Sequence, residues 1–318
     1  MATYYLYGTI LTNEAVAANN RGDNMGNTTT LQKVFHYDEL HTSVSAEAIR
    51  FAIRYRFQLE GLPVNRNYDA NGGKLTFEDE KRTYWDGSNT PYIDDDLMGF
   101  MDAAAAKKER EEEDLEQENP GKKPKAKGKT TRRQSPLAIG RAVSLRPYRG
   151  EISFNAVSGE KEKGKLSLYN AEMHTTEYQY SFGLNLNDVL HKENIRHLVE
   201  AIADMPNVAG NHARFAYDFS PATVVLRVTK EHSSKLQNCF EHDEETRSFT
   251  VENLIRRVKS EDIPAEELII GGHIFDTKDG QSLIDLGVTV IPGVRKAAEE
   301  AILRIATLSE EFTILEKR

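Results

Sequence analysis

The chain of 318 residues holds one cysteine, Cys239. An internal disulfide is therefore excluded, and no Cys-x-x-Cys pair exists for zinc or redox chemistry. No stretch approaches the roughly 18–20 consecutive apolar residues that cross a membrane. The first residues, Met-Ala-Thr-Tyr-Tyr-Leu-Tyr-Gly, lack the basic region and apolar run of a signal peptide. These absences point to the reducing cytoplasm and to no membrane partner. Positive charge is also in deficit. Lys and Arg number 41 against 50 Asp and Glu, a net charge of −9, whereas a simple nucleic-acid binder is usually basic. Catalytic signatures are missing as well. There is no His-Glu-x-x-His and no Gly-x-Ser-x-Gly elbow, and the pairs His36/His41 and His191/His197 have the wrong helical spacing for shared ligation. Nothing nominates a nucleophile, a metal or a cofactor, so the expectation is a non-enzyme.

What is present is enough to build a core. Apolar residues make up 39% of the chain, and its length suits one large α/β domain with insertions, or two domains. The charge is unevenly placed. A dense acidic run fills residues 109–118, whereas basic residues gather at Arg50–Arg56, Lys122–Arg133 and Arg141–Arg149. Local field governs a binding groove more than the sum does, so the acidic total leaves nucleic-acid binding open.

Thr3–Leu11 reads as a buried strand and Asn19–Thr30 as a polar, Gly-containing loop. Ser45–Leu59 reads as a helix: Ser45 suits the N-cap, Gly61 and Pro63 suit the stop, and Ile49, Ile53 and Phe57 form the buried stripe. Residues 61–135 look like an insertion, low in complexity from Ala103, and 104–131 are expected to be a mobile loop. Strand signals resume at Ala142–Val157 and Leu166–Leu186, followed by a helix at Asp188–Met205 and a strand at Ala222–Thr229. A helix at Val251–Lys259, strands at Leu268–Phe275 and Val288–Ile291, and a C-terminal helix after Pro292 complete the reading. The expected class is α+β, an RRM-like (ferredoxin-like) palm with insertions.

Several motifs have a bland and a functional reading. Gly159–Lys165 matches the first seven positions of a phosphate-binding loop, but Leu166 replaces the Ser or Thr that would hold Mg²⁺, and strand follows where a helix must open. A charged hairpin tip is the better reading. Arg50 and Arg54 share one helix face and suit two successive phosphates, or else form a solvated face with Glu47. Arg132, Arg133, Arg141, Arg146 and Arg149 are equally ambiguous. Asn211, His212 and Arg214 follow a glycine turn and suit backbone contact to RNA, or simple turn chemistry. The aromatic signature of ordinary RRM proteins is absent, so an RRM-like core is not expected to bind RNA by stacking bases on its sheet face. For a nuclease reading, no acid cluster stands out beyond Asp94–Asp96.

Four segments together resemble the backbone family of CRISPR Cascade effector complexes, in its DevR-type autoregulator branch, and point to subtype I-B. They are Asn20–Thr30, His41–Arg54, Arg132–Leu137 continuing into Ala142–Asn155, and Gly210–Phe215. The similarity covers residues 1–60 and 130–230; Glu47 departs from it, standing where many relatives carry Gln. The resemblance implies a half-open hand. Residues 1–60 and 136–318 would form the palm, with a thumb β-hairpin near 157–177, and 61–135 would be inserted fingers. It implies a guide RNA as partner, bound by Asn20, Arg21, Ser45, Arg50, Arg54, Arg132, Arg133, Arg141, Asn211, His212 and Arg214. Further implied partners are the target DNA strand, copies of the chain stacked head to tail, and other Cascade subunits: the large subunit and those capping the RNA ends. In such assemblies base pairing reads sequence while protein holds the backbone. The branch's name supplies the alternative, a transcriptional autoregulator binding promoter DNA.

Overall fold

A computed structural model describes residues 2–17, 24–69, 74–101, 131–156, 168–205, 208 and 218–316. Asn20, Arg21, Asn211, His212, Arg214, the phosphate-loop-like segment and nearly all of the 104–131 stretch lie outside the described residues.

The centre is a nine-stranded sheet. In chain order its strands are β1 (Tyr5–Thr12), β2 (Lys33–His36), β3 (Glu39–Val44), β4 (Leu137–Ile139), β5 (Ala142–Ser144), β6 (Tyr178–Asn185), β7 (Pro221–Thr229), β8 (Leu268–Gly272) and β9 (Thr289–Ile291). Their spatial order is β9-β8-β7-β1-β6-β5-β3-β2, with β4 also pairing β6. β1 lies antiparallel between β6 and β7, with Tyr7 opposite both Gly183 and Arg227. The β8–β9 pair is parallel.

Period-2 alternation gives this sheet two cores. Leu6, Ile10, Phe182, Leu184, Val224 and Leu226 point to one face. There they meet α1 (Ala46–Leu59), α3 (Glu193–Ala203) and the helix Val294–Ala306 through Ile49, Ile53, Phe57, Ile195, Leu198 and Ile302. Leu11, Val225, Leu268 and Ile270 point to the other face, covered by Leu236, Phe240, Leu254, Val258 and Leu283. The last third of the chain therefore supplies a lid for the second face. This explains why every residue of β7 is buried. Each such apolar side chain contributes about 1.5–3 kcal/mol on burial. Fully buried Arg227 anchors the lid. Its Nε donates to Glu267 Oε2 at 2.8 Å, Nη2 to Glu231 Oε2 at 2.7 Å, and Nη1 to the Ser233 carbonyl at 3.0 Å.

The α1 boundaries agree with the sequence. Ser45 caps it, its Oγ accepting the Ala48 N–H at 3.2 Å. Gly61, at φ 73°, ends it with Gly61 N–H to Gln58 O and Leu62 N–H to Phe57 O, the left-handed stop that glycine adopts without a Cβ penalty. α3 starts five residues later than its hydrophobic pattern implied. Asp96 holds the Leu190 and His191 N–H groups at 3.0 and 3.1 Å in the approach.

Two segments read separately in the sequence form one small sheet. The strand Leu168–Thr176 pairs with Glu151–Ala156, with Thr28–Thr29 in parallel, and with Ala15–Ala17. Residues 24–30 are therefore partly strand, not wholly loop, because the hairpin offers them a ladder from more than a hundred residues away. Glu172 fastens the junction, accepting the Leu31 N–H at 2.7 Å and Lys33 Nζ at 2.5 Å.

Candidate nucleic-acid interface

The structure sorts the six candidate residues it describes into two groups. Arg54 and Arg133 are interior, each held by an aspartate of the short helix α2 (Ile93–Met98), in which Asp94, Asp95 and Asp96 are all buried. Arg54 Nε lies 3.3 Å from Asp94 Oδ2, and its Nη2 is 3.1 Å from Met98 Sδ. Arg133 Nη2 donates to Asp96 Oδ1 at 2.6 Å, to the Asp96 carbonyl at 2.9 Å and to the Asp188 carbonyl at 2.8 Å. Asp95 takes Arg82, 3.5 Å away, together with Asn65 Nδ2 at 2.7 Å and the Tyr84 hydroxyl. The Arg54 and Arg82 contacts are charge pairs and not aligned hydrogen bonds, since neither Nε has a hydrogen-bond partner.

This corrects one expectation. Arg54 does not stand beside Arg50 as a free surface cation. The segment after α1 folds back over that face and buries the Arg54 guanidinium, leaving its side chain 9% exposed. Nor do the three aspartates form an open acidic site. Each carboxylate is matched to one arginine, from 54, 82 and 133, so the motif knits the insertion to the sheet and helix layer. Burial, and then the neighbouring Asp95, push the Asp94 carboxyl above its ordinary value, while the Asn65 N–H and Arg54 oppose the shift. Among the described residues no group of three or more His, Cys, Asp or Glu could hold a metal. Arg82 had no signal in the sequence. A positional match to Asp95 becomes visible only when residues 78–85 return to α2.

The second group faces outward. Arg50 is half-buried and donates from Nη2 to the Leu137 carbonyl at 2.7 Å. Burial lowers its affinity for the proton, and nearby Arg54 adds to that. Arg132 is exposed in a two-residue ladder with Phe100–Met101. Arg141 is exposed and donates to Ser43 Oγ at 3.1 Å and Gln32 Oε1 at 3.4 Å. Both partners are neutral, and among the described residues no carboxylate forms an ion pair with it. Ser45 is committed to its cap. Arg50, Arg141 and Ser45 are brought together by one junction: β3 runs into α1 through Ser45, β5 pairs β3, and β4 accepts Arg50.

Among the described residues no helix is long and apolar enough to cross a membrane. Over residues 8–262 the chain matches the family described as CRISPR-associated negative auto-regulator DevR/Csa2. It is 37% identical over 280 residues, 86% of this chain and 87% of the relative, to a CRISPR-associated protein Cas7/Cst2/DevR of Myxococcus xanthus (strain DK1622). A chain of a pre-nicking CRISPR RNA-guided surveillance complex superposes with a TM-score of 0.58 at 12% identity, over 95% of this chain and 100% of that one. A chain of another CRISPR RNA-guided surveillance complex gives 0.52 at 12% identity, over 94% and 100%. The mixed α+β fold is shared with these assemblies, and by sequence the chain belongs to the DevR/Csa2 family of CRISPR-associated proteins.

Proposed function

We propose that the chain is a guide-RNA-binding backbone subunit of a Cascade-type complex, working without catalysis in the cytoplasm. Copies would stack along the spacer while the guide pairs with target DNA. The strand order supports an RRM-like palm: β7-β1-β6-β5, with α1 and α3 on one face, is the arrangement of a β-α-β-β-α-β unit. On this reading residues 61–135 are the fingers, and the hairpin built on Glu151–Ala156 and Leu168–Thr176 is the thumb. The observation that carries the proposal is the outward cluster at the β3–α1 junction. Among the described residues Arg141 has no carboxylate partner there, although the chain is acidic overall, and guanidinium groups suit phosphate. The pairing of Asp94–Asp96 with arginines supports a binding role over a nuclease.

The test is RNA loading of the protein purified from its host. Arg50→Glu with Arg141→Glu should leave circular dichroism unchanged and strip the bound RNA, measured as the ratio of absorbance at the nucleic-acid and protein maxima. Undiminished loading in that variant would refute this placement. The family description favours a second reading, a negative autoregulator. It requires preferential binding of duplex promoter DNA over single-stranded RNA in a direct competition.

A further inference from the structure

The lid leaves part of the second sheet face open. There β6 presents Gln179, Ser181 and Gly183, opposite Leu11, Thr9 and Tyr7 of β1. Together with β4, residues 140–141 and the loop Ser234–Asn238, they line a groove of about 390 Å³. Its lining includes Gln237, Asn238 and Arg141, and among the described residues it contains no carboxylate, in a chain with 50 of them. A second, smaller groove of about 190 Å³ continues past Gln237 and Asn238 toward Lys235 and Arg257, again with no acid among its described residues.

Two features give the first groove a specific chemistry. The Tyr5 and Tyr7 rings stack at 5.6 Å and 11° and are held from behind, the Tyr7 hydroxyl donating to the His232 carbonyl at 2.8 Å and the Tyr5 hydroxyl meeting His232 Nδ1 at 2.8 Å. Gly183 lies against Tyr7, whose ring atoms would sit 2.9–3.0 Å from any added Cβ. A side chain at 183 would therefore crowd the wall that the ring forms.

An aromatic wall, a neutral polar lining and a cation at the rim match a nucleotide. We propose that this groove binds one unstacked base of a single-stranded RNA. The base stacks against Tyr7, and the adjoining phosphate meets Arg141. The inference rests on the guide-RNA reading and adds a base site to the phosphate contacts.

The test uses Ala138, which is exposed and sits directly across from Gly183 on the same face. Ala138→Trp fills the groove from outside the core, and Ala138→Ser leaves it open. Titrated with a fluorescein-labelled single-stranded RNA, the Trp variant should bind at least about fivefold more weakly, as loss of one base–aromatic stack implies. The Ser variant should match wild type. Equal affinity of both variants, with wild type binding RNA, overturns the groove and leaves the guide-RNA reading intact. Wild type that binds no RNA overturns both. Saturable binding of AMP that Ala138→Trp abolishes while RNA affinity is unchanged overturns the proposal in favour of a mononucleotide site. Should Ala138→Trp fail to fold, ultraviolet cross-linking of wild type decides. Nucleotide adducts on peptides holding Tyr7 or Ser234–Asn238 support the site, and adducts only elsewhere overturn it.

Discussion

Asp96→Asn removes one charge from the interior and should unravel the junction between the insertion and the helix layer. Four donors converge on the carboxylate: Arg133 Nη2 at 2.6 Å, Asn194 Nδ2 at 2.8 Å, and the N–H groups of Leu190 and His191 at 3.0 and 3.1 Å. The amide offers one acceptor oxygen and turns an NH₂ toward groups that also donate. It also leaves the Arg133 guanidinium, 9% exposed, without its counter-charge. Removing one partner of a buried pair costs about 3–5 kcal/mol, a large share of the roughly 5–15 kcal/mol that holds a protein folded. With an unfolding entropy of about 2.1 cal/mol/K per residue, that loss lowers the thermal midpoint by roughly 5–8 °C. Thermal unfolding followed by circular dichroism measures it. The control is Glu39→Gln, which removes the same charge from an exposed strand end and should leave the midpoint where it was. A midpoint for Asp96→Asn within about 1 °C of wild type would refute the structural role and reopen these aspartates to a functional one.

Other outcomes can be checked in parallel. Burial holds His174 well below the usual imidazole range, at about 4, with His41 contributing; Thr42 Oγ1 lies 2.8 Å from its Nδ1, the Tyr148 ring packs on its edge, and Arg146 is the nearby cation. Its folded value lies below its unfolded value, so its stabilisation is complete above about pH 6.5 and is lost as pH falls toward 4. His174→Gln should flatten that part of the stability–pH curve, and an unchanged slope would contradict the assignment. Gly183→Val should cost about 1–3 kcal/mol by overpacking against Tyr7, read as a lower urea midpoint; a neutral result would mean the ring is free to move aside. Arg54→Glu should yield insoluble or unfolded protein, because it sets a second carboxylate against Asp94; a folded product would show that the pair is dispensable.

Local pattern made much of the fold legible. The stripe of Ile49, Ile53 and Phe57, the Ser45 cap and the Gly61 stop located α1, and β-branched runs located β7 and β8. What failed was what depends on distant chain. Arg50 and Arg54 are equivalent by helical spacing, and only the return of residues 63–98 over one side separates them into an outward cation and a buried one. The hairpin Lys33–Val44 was missed because its exposed Phe35 and polar Thr42 and Ser43 break the alternation of a strand, and pairing with β5 supplies the ladder that propensity does not. The groove beside Tyr7 had a readable trace. In Gln179-Tyr-Ser-Phe-Gly-Leu184, polar or small residues alternate with large apolar ones, which marks a strand with one open face. The absence of the usual RRM aromatic signature is what set the expectation against base stacking on that face.

The central claim is that single-stranded guide RNA is the ligand. Purifying the protein from its host under native conditions and sequencing all bound nucleic acid tests it most directly. The account predicts RNA in which repeat-derived ends flank spacer sequence, recovered in stoichiometric amount with several protein copies per molecule. Recovery of duplex promoter DNA, or of no nucleic acid at all, would contradict it.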